Sequence, residues 1–504
     1  MERAYDVVVV GGGHNGLACG AILAKSGLSV AIFERSECLG GTAVSERVWS
    51  GYTLSTASYV CTLLDPWLIH ELDLHAYGYD AYRKDPATFN VLADGRSLLL
   101  GADDDANARE ISAFDPSDVA GFRELDRVTR ELGSALFETF SDDEPSFGRF
   151  PQATRDVLCG SVASLVERYV RTPVLAAAVA TDGIIGTFLG PRNLGTGYVL
   201  AHHYAGRALG AQGAWGYVRG GMGAISQALA SVARSYGASI FAGTPVSRIT
   251  VRDGIADGIA LADGSEIRAR VVASNAHPRT TYVDLVGEAL LDAGTLQKLR
   301  GWKSVGPSLK LNLALGELPN FTARPGTEPQ SHHRATIHVA PSLDYLQRAY
   351  EDAAGGGVSA EPMLECFMQT PTDPSLAPPG KHILSVFAQY YPYDRPDGWG
   401  DSQRAAAADQ IIGMLARYAP NIPNAIEERQ LLSSVDLEAR FGIVGGHIFH
   451  GELLPDQIYE NRFSTKAPVA NLYLCGSGAH PGGCVSGFPG KRAARAILAQ
   501  MAAS

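Results

Sequence analysis

Val7 to Val10 are four β-branched residues with no polar interruption, the pattern of a strand buried on both faces. Gly11, Gly13 and Gly16 then form a G-x-G-x-x-G turn. Leu17, Gly20, Ala21 and Ala24 recur at helical spacing until Gly27, which predicts a helix and its stop. Leu28 to Phe33 is apolar again and predicts a second strand, closing on Glu34.

Further along the chain, Asp65 to Tyr82 predicts a helix, and Thr88 to Leu100 predicts a hairpin turning at Asp94-Gly95. Asp115 to Tyr169 reads as helical with an acidic break at Ser141 to Pro151, and Val174 to Leu189 as a buried or interfacial helix interrupted at Asp182-Gly183. Gly220, Gly221 and Gly223 open another helix. Val246 to Val251, Ile255 to Leu261 and Ser265 to Val272 then alternate as a three-stranded meander turning at Asp253-Gly254 and Asp263-Gly264. Leu309 to Leu315, Thr336 to Ala340, Met363 to Gln369 and Ile383 to Tyr391 predict a second, mixed sheet, with a covering helix from Ser402 to Tyr418. Asn471 to Cys475 predicts a strand, Gly476 to Gly487 a glycine-rich loop, and Lys491 onward a helix.

The chemistry sits in the first unit. In a strand–glycine turn–helix the first glycine permits the reversal, the second removes a Cβ where a pyrophosphate approaches, and the third lets helix and strand pack closely. The helix N-terminus offers free N–H groups to phosphate. Glu34 stands at the distance where an acid meets a ribose hydroxyl, so a dinucleotide is expected. Arg35 and the Gly40-Gly41 doublet shift the expectation from NAD to FAD. The Gly220 turn is not expected to hold a second nucleotide, because no β-branched strand precedes it and no acid ends the next strand.

At 504 residues and 46% hydrophobic composition the chain is expected to fold as more than one globular domain. A net charge of −11 argues against nucleic acid as partner. Seven scattered cysteines fit a reducing compartment rather than a disulfide framework. No stretch reaches the ~18 uncharged apolar residues of a spanning helix. A cytoplasmic protein is expected, with peripheral contact to a membrane left open, as monomer or homodimer.

Three segments carry a family resemblance: the N-terminal unit, AWGYVRGGMG from Ala214 to Gly223, and LCGSGAHPGG from Leu474 to Gly483. Together they resemble the phytoene-desaturase branch of the FAD-dependent amine-oxidase-like flavoproteins, and within it the phytoene-dehydrogenase-related pyridine nucleotide-disulfide oxidoreductase domain-containing group. GTGYVLAHHYAG (Gly195 to Gly206) and GGHIFHGEL (Gly445 to Leu453) are similar to that group as well. The resemblance implies an α/β fold. A discontinuous Rossmann-like FAD-binding domain (residues 1–75, 214–290 and 455–504) would carry an inserted α+β substrate domain of mixed sheet and helices (76–213 and 291–454). It implies FAD held by Gly11, Gly13, Asn15, Gly16, Glu34, Arg35, Gly41 and Thr42, with Val246 at the adenine. Gly476, Gly482, Gly483 and Val485 would lie at the isoalloxazine. Cys484 and Lys491-Arg492 depart from the group's pattern.

A flavin performs the redox step itself, so the absence of an evident acid–base pair is no objection. Disulfide chemistry is not expected, since no closely spaced cysteine pair exists: Cys38 and Cys61, or Cys475 and Cys484, are too far apart in sequence. His480 and His203 are the candidate substrate-orienting or proton-relaying groups, with His202 pointing to another face. His447 and His450 are expected to be structural, and no metal site is foreseen. Tyr390, Tyr391, Tyr393 and Trp399 either line a lipophilic tunnel or pack the sheet.

The expected function is an FAD-dependent oxidoreductase that desaturates, saturates or isomerises a hydrophobic molecule of polyene or isoprenoid type. Hydride would pass between flavin N5 and a substrate carbon, and oxygen, quinone or another carrier would serve as electron acceptor. One alternative is an amine or amino-acid oxidase, for which Arg207 is the candidate anion partner. Another is a non-catalytic flavoprotein acting as a binding or assembly partner.

Overall fold

The structure is a computed structural model and describes residues 4–503. Two seven-stranded sheets dominate it. In the first, Ala4–Val10 lies between Val30–Phe33 and Glu266–Ser274 and is parallel to both, with Val7 opposite Val30 and Val271. Ser239–Phe241 extends one edge beyond Val30–Phe33, and the meander of Val246–Arg252 and Ile255–Leu261 extends the other. Leu472–Leu474 runs parallel to the end of Glu266–Ser274.

The β-branched run of the first strand is used on both faces. Val7 and Val9 pack toward the helices His14–Lys25, Gly223–Ser235 and Phe488–Ala503, while Val8 and Val10 pack with Ile249, Ile259, Tyr282 and Phe463. All four are fully or nearly fully buried, which at ~25 cal/mol per Å² of apolar surface makes this strand the anchor of the unit.

The second sheet has the order Ile426–Leu432, Ser308–Leu315, His382–Gln389, Met363–Phe367, Thr336–Val339, Thr88–Val91, Ser97–Leu100. Leu309, Leu311, Leu313 and Leu315 pack against Ala407, Ile411 and Met414 of the helix Asp401–Ala416. The strand's period of two therefore turns Ser308, Lys310 and Asn312 to the opposite face. Helices Asp118–Phe137, Gln152–Cys159, Val162–Val166, Pro173–Ala180 and Thr196–His203 build a third core around Phe140, Tyr198 and Tyr459.

Several expected elements differ. Asp65 to Tyr82 is not one helix but Pro66–Glu71, a 3₁₀ turn Leu74–Tyr77 and the strand Ala81–Arg83. The breaks are Asp73 and Gly78, both left-handed at φ 46° and 94°. The helix expected over 174–189 ends at Ala180 and continues as a 3₁₀ turn, Thr181–Gly183. The charged edge strand Ile426–Leu432 and the helices Asp104–Ser112 and Leu343–Ala354 were not expected from the pattern.

At the Gly220 turn the backbone N–H groups are already occupied. Gly220 donates to Asp373, Met222 to Ser55 and Gly223 to Ser45, at 2.7, 3.0 and 2.9 Å. The turn seats its helix against His14–Lys25 and has no donors left for a phosphate.

Candidate active site

A cleft of about 260 Å³ opens at the carboxyl end of the first strand. Gly11, Gly13, His14, Asn15, Glu34, Arg35, Gly41, Thr42 and Val246 all line it. The glycine loop is shaped as the spacing requires: a Cβ on Gly16 would stand 2.2 Å from the Gly11 carbonyl oxygen, and one on Gly13 2.6 Å from Asn275 Nδ2. The helix behind it, His14–Lys25, follows Gly13 with no side chain capping its N–H groups, which leaves them open to a phosphate. Glu34 accepts from the Gly12 N–H at 2.7 Å and from the Ser36 N–H at 2.9 Å, so the acid both closes the loop and faces the cleft. Arg35 reaches across to the carbonyls of Ala439 and Arg440 at 3.2 and 3.1 Å, the C-terminal end of helix Ser434–Phe441.

Four buried atoms on this wall lack any protein partner: His14 Nε2, Asn15 Oδ1, His277 Nε2 and His450 Nδ1. Buried polar groups are almost always hydrogen-bonded. A cleft that offers a glycine cradle, open helix N–H groups, an acid at the ribose position and four orphaned polar atoms fits a dinucleotide flavin. The imidazoles are electrically neutral here. Burial pushes His14 down to about 4 and His450 to about 3, and holds His277 well below the usual histidine value.

His14, Thr42, Ile443, His450 and Ser477 also line a second cavity of about 150 Å³, the middle chamber. Its other walls are largely apolar: Leu63, Ile185, Trp215, Phe387, Leu437, Ile448, Phe449 and Val485. Lys310 enters it as a buried amine without a hydrogen bond, 4.1 Å from the ring centres of both Tyr59 and Phe367. Burial holds its pKa well below the usual lysine value, opposed chiefly by the charge of Glu365.

From the C-terminal loop the cavity walls take Ser477, Cys484 and Val485. Gly476, Gly482 and Gly483 are spacers instead, abutting Asn275, Leu453 and Phe449 respectively. Cys484 adopts φ 76°, a left-handed conformation normally left to glycine. Lys491 pairs with Asp65 at 2.7 Å, and Arg492 donates to the His480 carbonyl at 3.1 Å, so both tie the last helix to its surroundings away from the cavities.

His203 lines the middle chamber with its ring stacked on Trp215 and its Nδ1 held by the Val199 carbonyl at 2.9 Å. His202 points elsewhere, against Tyr198 and Phe140. His480 lies outside the cavities, its Nε2 3.1 Å from the Thr139 carbonyl and its ring packed on Tyr459. Arg207 is spent on Glu138, Gln212 and Ser134 and faces no cavity. Tyr390, Tyr391, Tyr393 and Trp399 hydrogen-bond to Leu189, Gln410, Glu438 and Pro392 and pack around the second sheet. His447 faces Glu452 at 3.3 Å, and no metal-ligand cluster occurs among the described residues. All seven cysteines are free thiols; Cys19 and Cys475 meet in the core behind the glycine helix and line none of the cavities.

Sequence reasoning missed His14, His277, Lys310 and Ser477. One signal was available: Ser308, Lys310 and Asn312 alternate with leucines in SLKLNLAL, and a lysine inside such a strand marks either a water-facing or a cavity-facing side.

A family model described as "Flavin containing amine oxidoreductase" matches residues 16–498. The mouse (Mus musculus) protein named pyridine nucleotide-disulfide oxidoreductase domain-containing protein 2 is 38% identical, over 99% of this chain and 94% of its own length. A lycopene-forming phytoene desaturase of Paracoccus sp. is 24% identical, over 99% of each chain. The crystal structure of an oxidoreductase from Methanosarcina mazei superimposes with a TM-score of 0.61 at 19% identity, covering 98% of this chain and 99% of that one, which shows a shared fold. No helix among the described residues is long and apolar enough to cross a membrane.

Proposed function

This chain belongs to the flavin-containing amine oxidoreductase family and is an FAD-dependent oxidoreductase; from that premise we propose that it desaturates, saturates or isomerises a hydrophobic small molecule of polyene or isoprenoid type. The observation that carries this reading is the middle chamber. It adjoins the flavin cleft through Thr42, His450 and Ser477, and its wall is predominantly aliphatic and aromatic. The likeness to a phytoene desaturase along nearly the whole chain supports the same substrate class.

FAD, when bound, supplies the two-electron chemistry. The protein's own residues seat the substrate and exclude water. Phe387, Ile448 and Phe449 form a wall of side chains with nothing to hydrogen-bond, so an apolar substrate is favoured there by roughly 25 cal/mol per Å² of surface withdrawn from water. Lys310 is the one amine on that wall. Burial holds its pKa well below the usual lysine value, so it gives up its Nζ proton more readily than an exposed lysine does.

Amine or amino-acid oxidation would call for an aromatic cage with charge beside the flavin. The chamber's aromatics are already engaged, Tyr59 on Phe367 and Trp215 on His203, and Arg207 is remote from the chamber. The deciding experiment is anaerobic mixing of the yellow protein with lipophilic polyenes and, separately, with primary amines. Bleaching by polyenes is the expected result. Bleaching by amines alone would replace this reading with amine oxidation, and bleaching by neither class, with full FAD loading, would favour a flavoprotein that binds without turnover.

A further inference from the structure

Lys310 sits inside the second sheet, its Cα opposite Phe387 on one side and Leu432 on the other. The ladder spends its backbone, and the alternation that sends Leu309 and Leu311 to the helix Asp401–Ala416 sends its side chain into the middle chamber. The residue is only 2% exposed, yet Nζ has no hydrogen-bond partner. The rings of Tyr59 and Phe367, stacked on each other at 3.8 Å, both lie 4.1 Å from it. An aromatic ring attracts a cation but supplies no oxygen or nitrogen lone pair to an N–H.

Glu365 projects from the same face of the sheet, with Phe387 between it and Lys310 in the cross-strand row. Its oxygens face the Tyr59 hydroxyl and, at 3.3 Å, His338 Nε2. With Lys84 and Asp182 it lines a third cavity of about 160 Å³, beyond Tyr59, which Lys310 does not reach. The carboxylate therefore leaves the amine without a hydrogen bond.

Hydroxyls on the chamber wall are engaged with the protein. Ser58 and Thr62 donate to the carbonyls of Thr42 and Ala214, each at 2.7 Å, and Ser308 to Gln389 Oε1 at 3.4 Å. Of the buried side-chain atoms without a partner, His14 Nε2, His450 Nδ1 and Lys310 Nζ belong to this chamber among the described residues. Both histidines also line the flavin cleft, whereas Lys310 does not. Away from the cleft, then, an otherwise apolar chamber holds one buried polar atom that the fold has left open.

An amine donates hydrogen bonds whether or not it carries the extra proton, so the ligand's matching group is an acceptor in either state. A carbonyl oxygen asks for a donor and nothing else. An alcohol brings a hydrogen that needs an acceptor of its own, and a carboxylate brings a charge whose desolvation one hydrogen bond does not repay.

We propose that the middle chamber binds an apolar molecule bearing a single carbonyl group, whose oxygen accepts a hydrogen bond from Lys310 Nζ. The inference rests on the reading of that chamber given above and adds the one polar function of its occupant.

The test uses the FAD-loaded protein and three probes: 2-octanone, octanoate, and 2-methyl-1-octene, in which a methylene of similar shape replaces the carbonyl oxygen. Titration calorimetry gives the affinities, and infrared difference spectroscopy of isotope-labelled 2-octanone reads the hydrogen bond at the carbonyl. The ketone-to-alkene affinity ratio is expected to be at least about tenfold higher in the wild type than in Lys310→Met. Octanoate should bind more weakly than the ketone. The bound carbonyl stretch should fall below its position in hexane in the wild type and return to that position in Lys310→Met. A ratio unchanged by Lys310→Met, tighter octanoate, or a wild-type stretch at its hexane position overturns the proposal. A variant that alters the flavin spectrum and FAD affinity without ketone present, and leaves the ratio unchanged, assigns Lys310 to the cofactor and overturns it too. Should the variant fail to fold or to hold FAD, the wild-type carbonyl stretch decides. Alkene binding with no carbonyl shift for the ketone leaves the apolar chamber standing and removes the Lys310 anchor alone; no binding of either neutral probe removes both.

Discussion

Arg462 Nη2 lies 2.8 Å from the carbonyl oxygen of Ser477, which sets a fully buried guanidinium against a residue that lines both the cleft and the middle chamber. The same side chain donates to the carbonyls of Phe449, Ala479, Glu452 and Gln457, and none of its hydrogen bonds goes to a carboxylate. Burial pulls its pKa down to about 10, so it stays charged at neutral pH. It is the fastener between the 449–457 segment and the C-terminal loop.

Arg462→Met should therefore leave several buried carbonyls unpaired and destabilise the protein by about 3 kcal/mol or more. Chemical denaturation of the two proteins measures this. FAD retention should fall with it, because Ser477 loses its position.

Gly16→Ala places a Cβ 2.2 Å from the Gly11 carbonyl oxygen, so the glycine helix must move away from the strand. The expected outcome is a folded but colourless protein. Flavin content per chain, read from the absorbance ratio after purification, checks it.

Glu34→Gln keeps the shape of the side chain but turns an amide N–H₂ toward one of the two backbone donors, Gly12 or Ser36. Losing one hydrogen bond to a charged acceptor weakens FAD binding by about tenfold or more. Fluorescence titration of the apoprotein with FAD gives the ratio.

Lys310→Met should raise stability at pH 7 while lowering turnover. In the wild type the folded pKa lies well below the unfolded value near 10.5, so the unfolded state binds the proton more tightly and the lysine costs stability at low pH. That cost shrinks as pH rises from the folded pKa to 10.5. The gap in Tm between variant and wild type should narrow over the same window, as scans from pH 7 to 10 would show.

Thiol labelling at pH 8 should find one fast cysteine, Cys38, which is exposed at the edge of the cleft. Burial pushes Cys61 up to about 11 and Cys484 up to about 12, which keeps them as unreactive thiols. Saturation with FAD should slow Cys38, and mass mapping of the modified peptide identifies the site.

Much of the cofactor cleft was legible in the primary structure because it is made by short-range rules. A β-branched run, glycines at fixed offsets and an acid ending the next strand specify a backbone path, and the residues of that path, Gly11, Gly13, Glu34, Arg35, Gly41 and Thr42, line the cleft. The strand alternation of SLKLNLAL was equally local. What it left open was which face met a helix and which a cavity, and hence whether Lys310 was solvated or buried.

The histidines show the other limit. His480 stands in the most informative C-terminal motif, yet it lies away from the cavities with its Nε2 on the Thr139 carbonyl, whereas His450, from a segment that reads as structural, brings an unpartnered nitrogen to the cavity wall. Asp182, visible only as an interruption in an apolar stretch, shares a cavity wall with Lys84 and Glu365 from segments distant in the chain. The sequence alone therefore determined the cofactor, because a phosphate cradle is written in consecutive backbone conformations. Only the tertiary structure decided the chambers beyond the cleft, because their walls are single side chains from distant segments, and whether each is paired, buried or free depends on what the fold sets against it.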